Sequence, residues 1–228
     1  NNEIGVIQPV AACSQICRSY GVTFHTDFVQ ALGYLPMDFA ENNLDFFSIS
    51  AHKIYGPKGI GALIVSPEIP VMPLQWGGGQ ERGLRPGTLP VPLIFGFVKA
   101  VQIAMKDILL RSNKISSLRN RLLLGLKREI PELLLNGSLT KRLPNNLNFT
   151  VPRIKGSLLY QELRPLIACS SGSACSAGSP SHVLMSLGRS SAQASSSMRL
   201  SLGRHSTANE VDQAIEIICR TVSKLRER

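Results

Sequence analysis

The chain has 228 residues, a hydrophobic content of 43% and a formal net charge of +10. That length can bury the core of one large domain or of two modest ones. No apolar run approaches the length of a membrane span, which argues against an integral membrane protein. The basic residues are not interleaved with aromatic ones, so nucleic-acid binding is disfavoured. A basic face for an acidic protein or an anionic ligand is at least as well supported.

The cysteines indicate a reducing compartment, because they form no secreted-type framework and their number, 5, is odd. We therefore expect the cytoplasm, or an organellar stroma or matrix. Cys13 and Cys17 lie four residues apart on a predicted helix. No His or Asp accompanies them at metal-ligand spacing, so buried core thiols are expected there and no metal site. The chain opens on Asn1 without Met or a signal-peptide start, which predicts a processed chain or a fragment.

Helices and strands alternate in the first part of the chain. The patterns predict helices over 9–20 and 35–42 and strands over 22–26, 45–50 and 62–65. This order predicts an α/β layer with a largely parallel sheet. In such sheets ligands gather at the carboxyl ends of the strands. Asp27 and Lys53 both follow such ends, so we expect them to face one pocket.

The turn between the second and third predicted strands contains His52 and Lys53. A buried lysine is rare, and desolvation lowers the pKa of a lysine amine towards the range in which it acts as a nucleophile. A Schiff-base lysine needs such an amine. The alternative is a solvated turn residue beside a surface histidine.

A Gly-rich segment at 75–88 holds two arginines and ends at Thr88. Its glycines let backbone N–H groups approach an oxyanion, so a phosphate contact and a flexible linker are both consistent with it. The segment has neither the Walker spacing nor the dinucleotide spacing.

The second half of the chain has a different pattern. It predicts helices over 90–110, 115–130, 156–164 and 183–188, strands over 147–151, 166–169 and 198–202, and a loop over 188–197. We place a domain boundary near residue 110, where regular alternation ends. Thr207 and Glu210 form a capping-box pattern before an amphipathic terminal helix.

Two side chains of this half are candidates for chemistry. Cys175 lies in a loop of small residues at 170–182, where it is either a nucleophilic thiol or part of a Ser/Gly linker. Arg199 lies on a predicted strand and either faces solvent or clamps a carboxylate with its fork of donors.

These signals occur together in one order along the chain. The sequence resembles the cysteine desulfurases, the NifS/IscS-like branch of the class V aminotransferases, which use pyridoxal phosphate (PLP). The matching motifs are Asn-Asn-Glu-Ile-Gly at 1–5, His-Thr-Asp at 25–27 with Gln30, Ser-Ala-His-Lys at 50–53, Tyr-Gly-Pro-Lys-Gly at 55–59, Arg-Gly-Leu-Arg-Pro-Gly-Thr at 82–88, Ser-Ser-Gly-Ser-Ala-Cys at 170–175 and Arg-Leu-Ser-Leu-Gly at 199–203. Several long motifs in this order make the resemblance specific.

The resemblance implies the type I fold of PLP enzymes. Residues 1–110 would be the C-terminal part of a large domain with a mostly parallel sheet, and residues 111–228 a small α+β domain that carries the cysteine loop. The resemblance also implies a further third of the family's length before Asn1, with a phosphate-binding loop and a His stacked on the cofactor ring. Activity of these residues by themselves stays open. A non-catalytic dimerising or partner-binding module and a selenocysteine lyase remain the alternatives.

The resemblance also implies the residues that bind the cofactor. Lys53 would hold PLP covalently, and Asp27 would pair with the ring nitrogen, which makes the ring an electron sink. Gln30 would bond to the ring hydroxyl. Ser50 and His52 would contact the cofactor phosphate.

The remaining implied roles concern the substrate and the partners. Thr88 would reach the phosphate in the other subunit of a homodimer. Asn2 and Arg199 would bind the carboxylate of L-cysteine, and Cys175 would accept its sulfur as a persulfide. L-alanine would leave, and the sulfur would pass to an acceptor, such as an iron–sulfur scaffold protein. This scheme needs no metal, nucleic acid or membrane.

Overall fold

The computed structural model describes residues 1–36, 44–170 and 180–227. The chain divides into two compact units, one of residues 9–109 and one of residues 1–8 together with 110–228. We call the first the lysine unit and the second the arginine unit, after Lys53 and Arg199. The division falls beside the predicted boundary near 110, but the first eight residues group with the C-terminal part of the chain.

The lysine unit is built on a three-stranded sheet in the order β1-β2-β3. Its elements are helix α1 (Val10–Ser19), strands β1 (His25–Asp27), β2 (Phe46–Ser50) and β3 (Gly61–Val65), two 3₁₀ turns (Ala51–Ile54 and Gln80–Gly83) and helix α2 (Val91–Met105). β1 runs parallel to β2, whereas β3 runs antiparallel to it. The short connection between β2 and β3 explains the mixture, because a parallel pair needs a crossover of about a dozen residues or more.

The turn after β2 is anchored in the core of this unit. Ala51 and Ile54 are buried and pack in a cluster with α2, whereas His52 and Lys53 between them are exposed. A Cβ at Gly56 would lie 2.9 Å from the carbonyl oxygen of Ala51 and 3.0 Å from the Cβ of Ala100. Only glycine lets the turn pack this closely against α2, and the packing fixes which two side chains point outward.

The arginine unit contains a second sheet, antiparallel throughout, in the order β4-β5-β6. Its elements are α3 (Ile108–Glu129), β4 (Leu134–Leu135), β5 (Asn146–Thr150), α4 (Gly156–Leu163), α5 (His182–Ser186), α6 (Ser191–Ser195), β6 (Ser197–Ser201) and α7 (Ala208–Arg226). The predicted capping box is present at the start of α7, where the Thr207 and Glu210 side chains each accept the other residue's backbone N–H.

Two sequence predictions for this unit are wrong. Residues 166–169 form a turn followed by irregular backbone rather than a strand, and the next residue, Ser170, makes an isolated β-bridge to Arg199. The predicted loop at 188–197 contains α6, which Ser190 and Gln193 open with a capping box. The run of serines concealed that signal, since serine favours loops and helix N-caps alike.

The alternation at 147–151 predicts a half-buried strand. The observed strand β5 differs, since all five of its residues are buried. Leu147 and Phe149 face a hydrophobic core on one side. The other face carries Asn146, Asn148 and Thr150, which have exposures of 5%, 0% and 0%. Buried polar groups need hydrogen-bond partners, and these three find them in a side-chain network described below.

The prediction that Cys13 and Cys17 are core thiols is wrong, because both are half-buried and only Ser14 of α1 is fully buried. In the described ranges, no group of three or more His, Cys, Asp and Glu side chains could hold a metal ion. None of the helices described is both long enough and apolar enough to cross a membrane.

The contact between α4 and the end of α6 allows a direct test of this packing. A Cβ added at Gly156 would lie 1.7 Å from the backbone carbonyl oxygen of Ser195, which no rotamer can relieve. We expect Gly156→Ala to lower the free energy of unfolding by about 3 kcal/mol, at the upper end of ordinary overpacking. Urea unfolding measures the effect.

Gly79→Ala is the matched control, because nothing lies within 4 Å of a Cβ there and the Gly79 φ is −78°. Equal unfolding midpoints for the two variants would contradict the packing described here.

Candidate functional site

The pairing of β1 with β2 fixes the first part of the candidate site. Asp27, the last residue of β1, is in register with Ser48 of β2, and the amide of Phe28 donates to the Ser48 carbonyl at 3.0 Å. The strands are parallel, so Asp27 and the end of β2 at Ser50 lie at the same edge of the sheet. Asp27 is exposed, and its Oδ1 accepts from the Val29 amide at 2.8 Å, which turns the chain.

The lysine turn follows β2 at that edge. The Ser50 hydroxyl lies 2.8 Å from Nδ1 of His52, so these two polar side chains point the same way. Lys53 is the next residue and is exposed. The sequence argument from the cost of burying a lysine therefore has no support in the described residues. Its place at the carboxyl edge, beside Asp27, links Lys53 to this site instead.

The other predicted cofactor residues are less closely connected. Gln30 is half-buried, just after the turn that Asp27 begins. Thr88 is exposed on the Gly-rich segment, and among the described residues no hydrogen bond or ion pair joins it to Asp27 or Lys53. Within that segment Glu81 and Arg82 have φ values of 50° and 58°. Non-glycine residues in the left-handed region are uncommon and mark local strain.

The predicted substrate residues lie together in the arginine unit. Nη1 of Arg199 donates to the carbonyl oxygen of Asn2 at 2.9 Å, across almost the whole length of the chain. The Arg199 backbone also pairs with Ser170, through bonds of 2.8 and 3.1 Å. Arg199 therefore contacts both Asn2 and Ser170, the last residue described before the segment that contains Cys175.

Cys175 itself lies outside the described residues. The two cysteines described in the arginine unit are half-buried, and the pKa of each thiol is raised. Burial raises the pKa of Cys169, and burial together with Glu129 raises that of Cys219. Both thiols are therefore more fully protonated at neutral pH than an exposed thiol, and the thiolate is the reactive form.

Sequence reasoning missed the buried polar layer beside Asn2. Glu3 is 1% exposed, and its Oε1 has no hydrogen-bond partner among the described residues. The amides of Asn146 and Asn148 both donate to the Glu3 carbonyl. The alternation over 147–151 predicts a half-buried strand with a solvent-facing side. The polar positions of this strand carry no charged residue, and that is the signal in the sequence that its polar side is buried.

The side chains at the carboxyl edge fit PLP. The aldehyde of the cofactor reacts with an amine, and its ring nitrogen pairs with a carboxylate. Its phosphate accepts hydrogen bonds from hydroxyl and imidazole donors. Two adjacent strand ends supply these partners, from the side chains of Asp27, Ser50, His52 and Lys53. All of them except Ser50 are exposed.

Comparison with known proteins agrees with this chemistry. A family model described as aminotransferase class-V matches residues 1–214. Over the whole chain the sequence is 46% identical to a probable mitochondrial cysteine desulfurase of Dictyostelium discoideum and 47% identical to the cysteine desulfurase IscS of Photorhabdus laumondii. The crystal structure of a NifS-like protein from Rickettsia africae superimposes with a TM-score of 0.88 at 34% identity, covering 98% of this chain and 60% of that one.

The chain covers 51% and 57% of the first two relatives, so it spans little more than half their length. The family model, by contrast, matches most of the chain, and the relatives match all of it. The chain therefore belongs to the class V aminotransferase family and carries part of the type I fold of its PLP enzymes.

Proposed function

We propose that the protein containing this chain is a PLP-dependent cysteine desulfurase. It converts L-cysteine to L-alanine and holds the sulfur as a persulfide on Cys175. The observation that carries the proposal is the parallel ladder of β1 and β2, which brings Asp27 and the turn of His52 and Lys53 to one edge. The names of relatives matched over the whole chain support the same reaction.

The lysine unit would bind the cofactor. PLP, when bound, withdraws electrons from the substrate Cα. Asp27 would hold a proton at the ring nitrogen, and Gln30 would orient the ring through its hydroxyl. Ser50 and His52, already paired at 2.8 Å, would donate to the phosphate. The Lys53 amine would hold the cofactor and then move the Cα proton of the substrate.

The arginine unit would bind L-cysteine and accept its sulfur. The Arg199 guanidinium and the Asn2 side chain would bind the carboxylate of L-cysteine. The thiolate of Cys175 would attack the substrate sulfur, so that an S–S bond forms as the C–S bond breaks. The Cβ then takes a proton, and L-alanine and the enzyme persulfide are the products. Hydrogen and sulfur balance without an external oxidant.

The partners follow from the same scheme. We propose a homodimer in which Thr88 reaches the phosphate bound by the other subunit. The persulfide would pass to a sulfur acceptor or an iron–sulfur scaffold protein, in the cytoplasm or in an organellar stroma or matrix. A thiol in a segment that the sequence predicts to be a loop could serve both the substrate and an external acceptor.

Lys53 and Lys58 provide a matched pair for testing cofactor attachment, because both are exposed residues of the same connection. We expect Lys53→Ala to remove the visible absorbance of lysine-bound PLP and to lower kcat by at least about a thousandfold, since the covalent anchor and the proton carrier are lost together. Lys58→Ala should retain both. Unchanged absorbance and turnover in Lys53→Ala would contradict the assignment.

Cys175 and Cys169 provide a second pair, this time for the sulfur acceptor. We expect Cys175→Ser to abolish the persulfide while PLP absorbance stays intact, because serine cannot carry the sulfur. Cys169→Ser should form the persulfide normally, because burial raises the pKa of the Cys169 thiol and keeps it protonated. Mass spectrometry of the protein after one turnover measures both variants, and a persulfide on Cys175→Ser would rule out the proposed role.

A further inference from the structure

A layer of buried polar side chains connects the antiparallel sheet of the arginine unit to the first residues of the chain. Each member is at most 5% exposed, and the members are Asn136, Arg142, Asn146, Asn148, Thr150 and Ser197. Burying this many polar groups costs free energy unless each is bonded in a fixed orientation. The layer therefore holds whatever it contacts in one geometry.

Two amides of this layer converge on one backbone atom. Nδ2 of Asn148 donates to the Glu3 carbonyl oxygen at 3.0 Å, and Nδ2 of Asn146 donates to the same oxygen at 3.2 Å. The preceding carbonyl, that of Asn2, accepts from Arg199 at 2.9 Å. Consecutive carbonyls at the start of the chain are thus fixed by three side chains of β5 and β6.

The orientation of each amide is itself determined by a donor behind it. Oδ1 of Asn148 accepts from Nδ2 of Asn136 at 2.8 Å, and Oδ1 of Asn146 accepts from Nη1 of Arg142 at 3.0 Å. An amide whose oxygen faces a donor must turn its nitrogen the other way. Both nitrogens therefore point at Glu3, and neither amide can flip without losing two bonds.

Arg142 is a buried cation within this layer. Burial, with a contribution from the nearby charge of Arg119, lowers its pKa to about 10, which leaves it protonated at neutral pH. It also donates to the carbonyl oxygens of Asn136 and Ser138. Arg142 can therefore act as a fixed donor that orients Asn146.

Backbone hydrogen bonds hold the same segment as well. The Leu143 amide donates to the Gly5 carbonyl at 2.9 Å, and the Ile7 amide donates to Lys141 at 3.0 Å. Gly5 has a φ of +72°, and a Cβ there would lie 2.6 Å from the Asn146 side chain. The segment that carries Asn2 is therefore packed directly on the amide that holds it.

Asn148 also lies beside Arg199 in the sheet, because the two residues are paired across β5 and β6. Side chains of an antiparallel pair point to the same face of the sheet. This cross-strand pair thus supplies both the Arg199 guanidinium and the Asn148 amide that fixes the peptide next to Asn2.

We propose that Asn146 and Asn148 are positioning residues for the substrate carboxylate. They hold the peptide of Asn2 and Glu3 so that the Asn2 side chain and the Arg199 fork meet the carboxylate together. This inference rests on the proposed function, in which Asn2 and Arg199 bind that carboxylate. It adds two buried residues that touch neither substrate nor cofactor.

The test uses the complete natural polypeptide with PLP bound. Asn148→Asp keeps the shape of the side chain but turns an acceptor oxygen towards the Glu3 carbonyl. We expect KM for L-cysteine to rise about 10- to 100-fold while kcat changes less than about threefold, the pattern of lost uniform binding. Calorimetry should show the affinity for L-alanine falling by the same factor. Asn148→Ala, which leaves Asn146 in place, should give a smaller change in the same direction.

Thr150→Val is the matched control. Thr150 lies on the same face of β5, is 0% exposed and bonds to Asn136 and Ser197, but the described contacts include none with Glu3. It should lower the unfolding temperature while KM and the L-alanine affinity stay within about twofold of wild type, because the bonds from Asn136 to Asn148 and from Asn148 to Glu3 remain in place.

The outcomes separate the inference from the function on which it rests. If Arg199→Lys raises KM but both Asn148 variants bind L-cysteine and L-alanine like wild type, the positioning role is wrong and the proposed function stands. An equal rise in KM for Thr150→Val would also overturn the positioning role, since a general loss of stability would then explain the rise in KM for both residues. A wild-type protein that neither desulfurates L-cysteine nor binds L-alanine would contradict the proposed function and the inference together.

Discussion

The parallel pairing of β1 with β2 is the constraint on which the proposed cofactor site depends. Register in a sheet is all or none for side-chain direction, because a slip of one residue moves every side chain to the opposite face. With Asp27 in register with Ser48, the carboxylate and the lysine turn leave the sheet at one edge. The packing of Ala51 and Ile54 against α2 then leaves His52 and Lys53 outward.

The arginine unit depends on a different constraint, the burial of polar side chains on one face of its sheet. Its sheet places a polar face in the interior, and every member of that face must find a partner. The partners are the backbone of residues 1–8 and a layer of amides and hydroxyls, so the cost of burying polar groups is offset by fixing the segment that carries Asn2. Rigidity at this segment is what a site for a small carboxylate needs, since binding geometry must be held closely.

Much of the fold could be predicted from periodicity. The patterns located α1, β2, β3, α4, β6 and α7 to within a few residues, because each has a clear period or cap. The end of α2 was predicted too far along the chain, since apolar residues continue past Met105 and give no sign of the left-handed Asp107 that ends the helical run. The antiparallel direction of β3 depends on the length of its connection to β2. The N-cap of α6 depends on Ser190, which is one serine among many. Periodicity shows neither feature.

The site residues were predicted from ordered motifs rather than from their physical environment. Lys53 shows the difference, because the argument from burial singles out this turn although the side chain is exposed. Asn148 shows the reverse. No local pattern marks it as different from a surface strand residue, and only the tertiary pairing with Arg199 and the contact with Glu3 reveal its surroundings.

Chemical trapping of the bound cofactor tests the central claim most directly. PLP held by a lysine amine is reduced by borohydride to a stable secondary amine, so peptide mapping then identifies the lysine. The account predicts that the complete natural polypeptide, reduced after loading with PLP, carries the pyridoxyl group on Lys53. A stoichiometric label on Lys58 or on another lysine, with Lys53 unmodified, would contradict it.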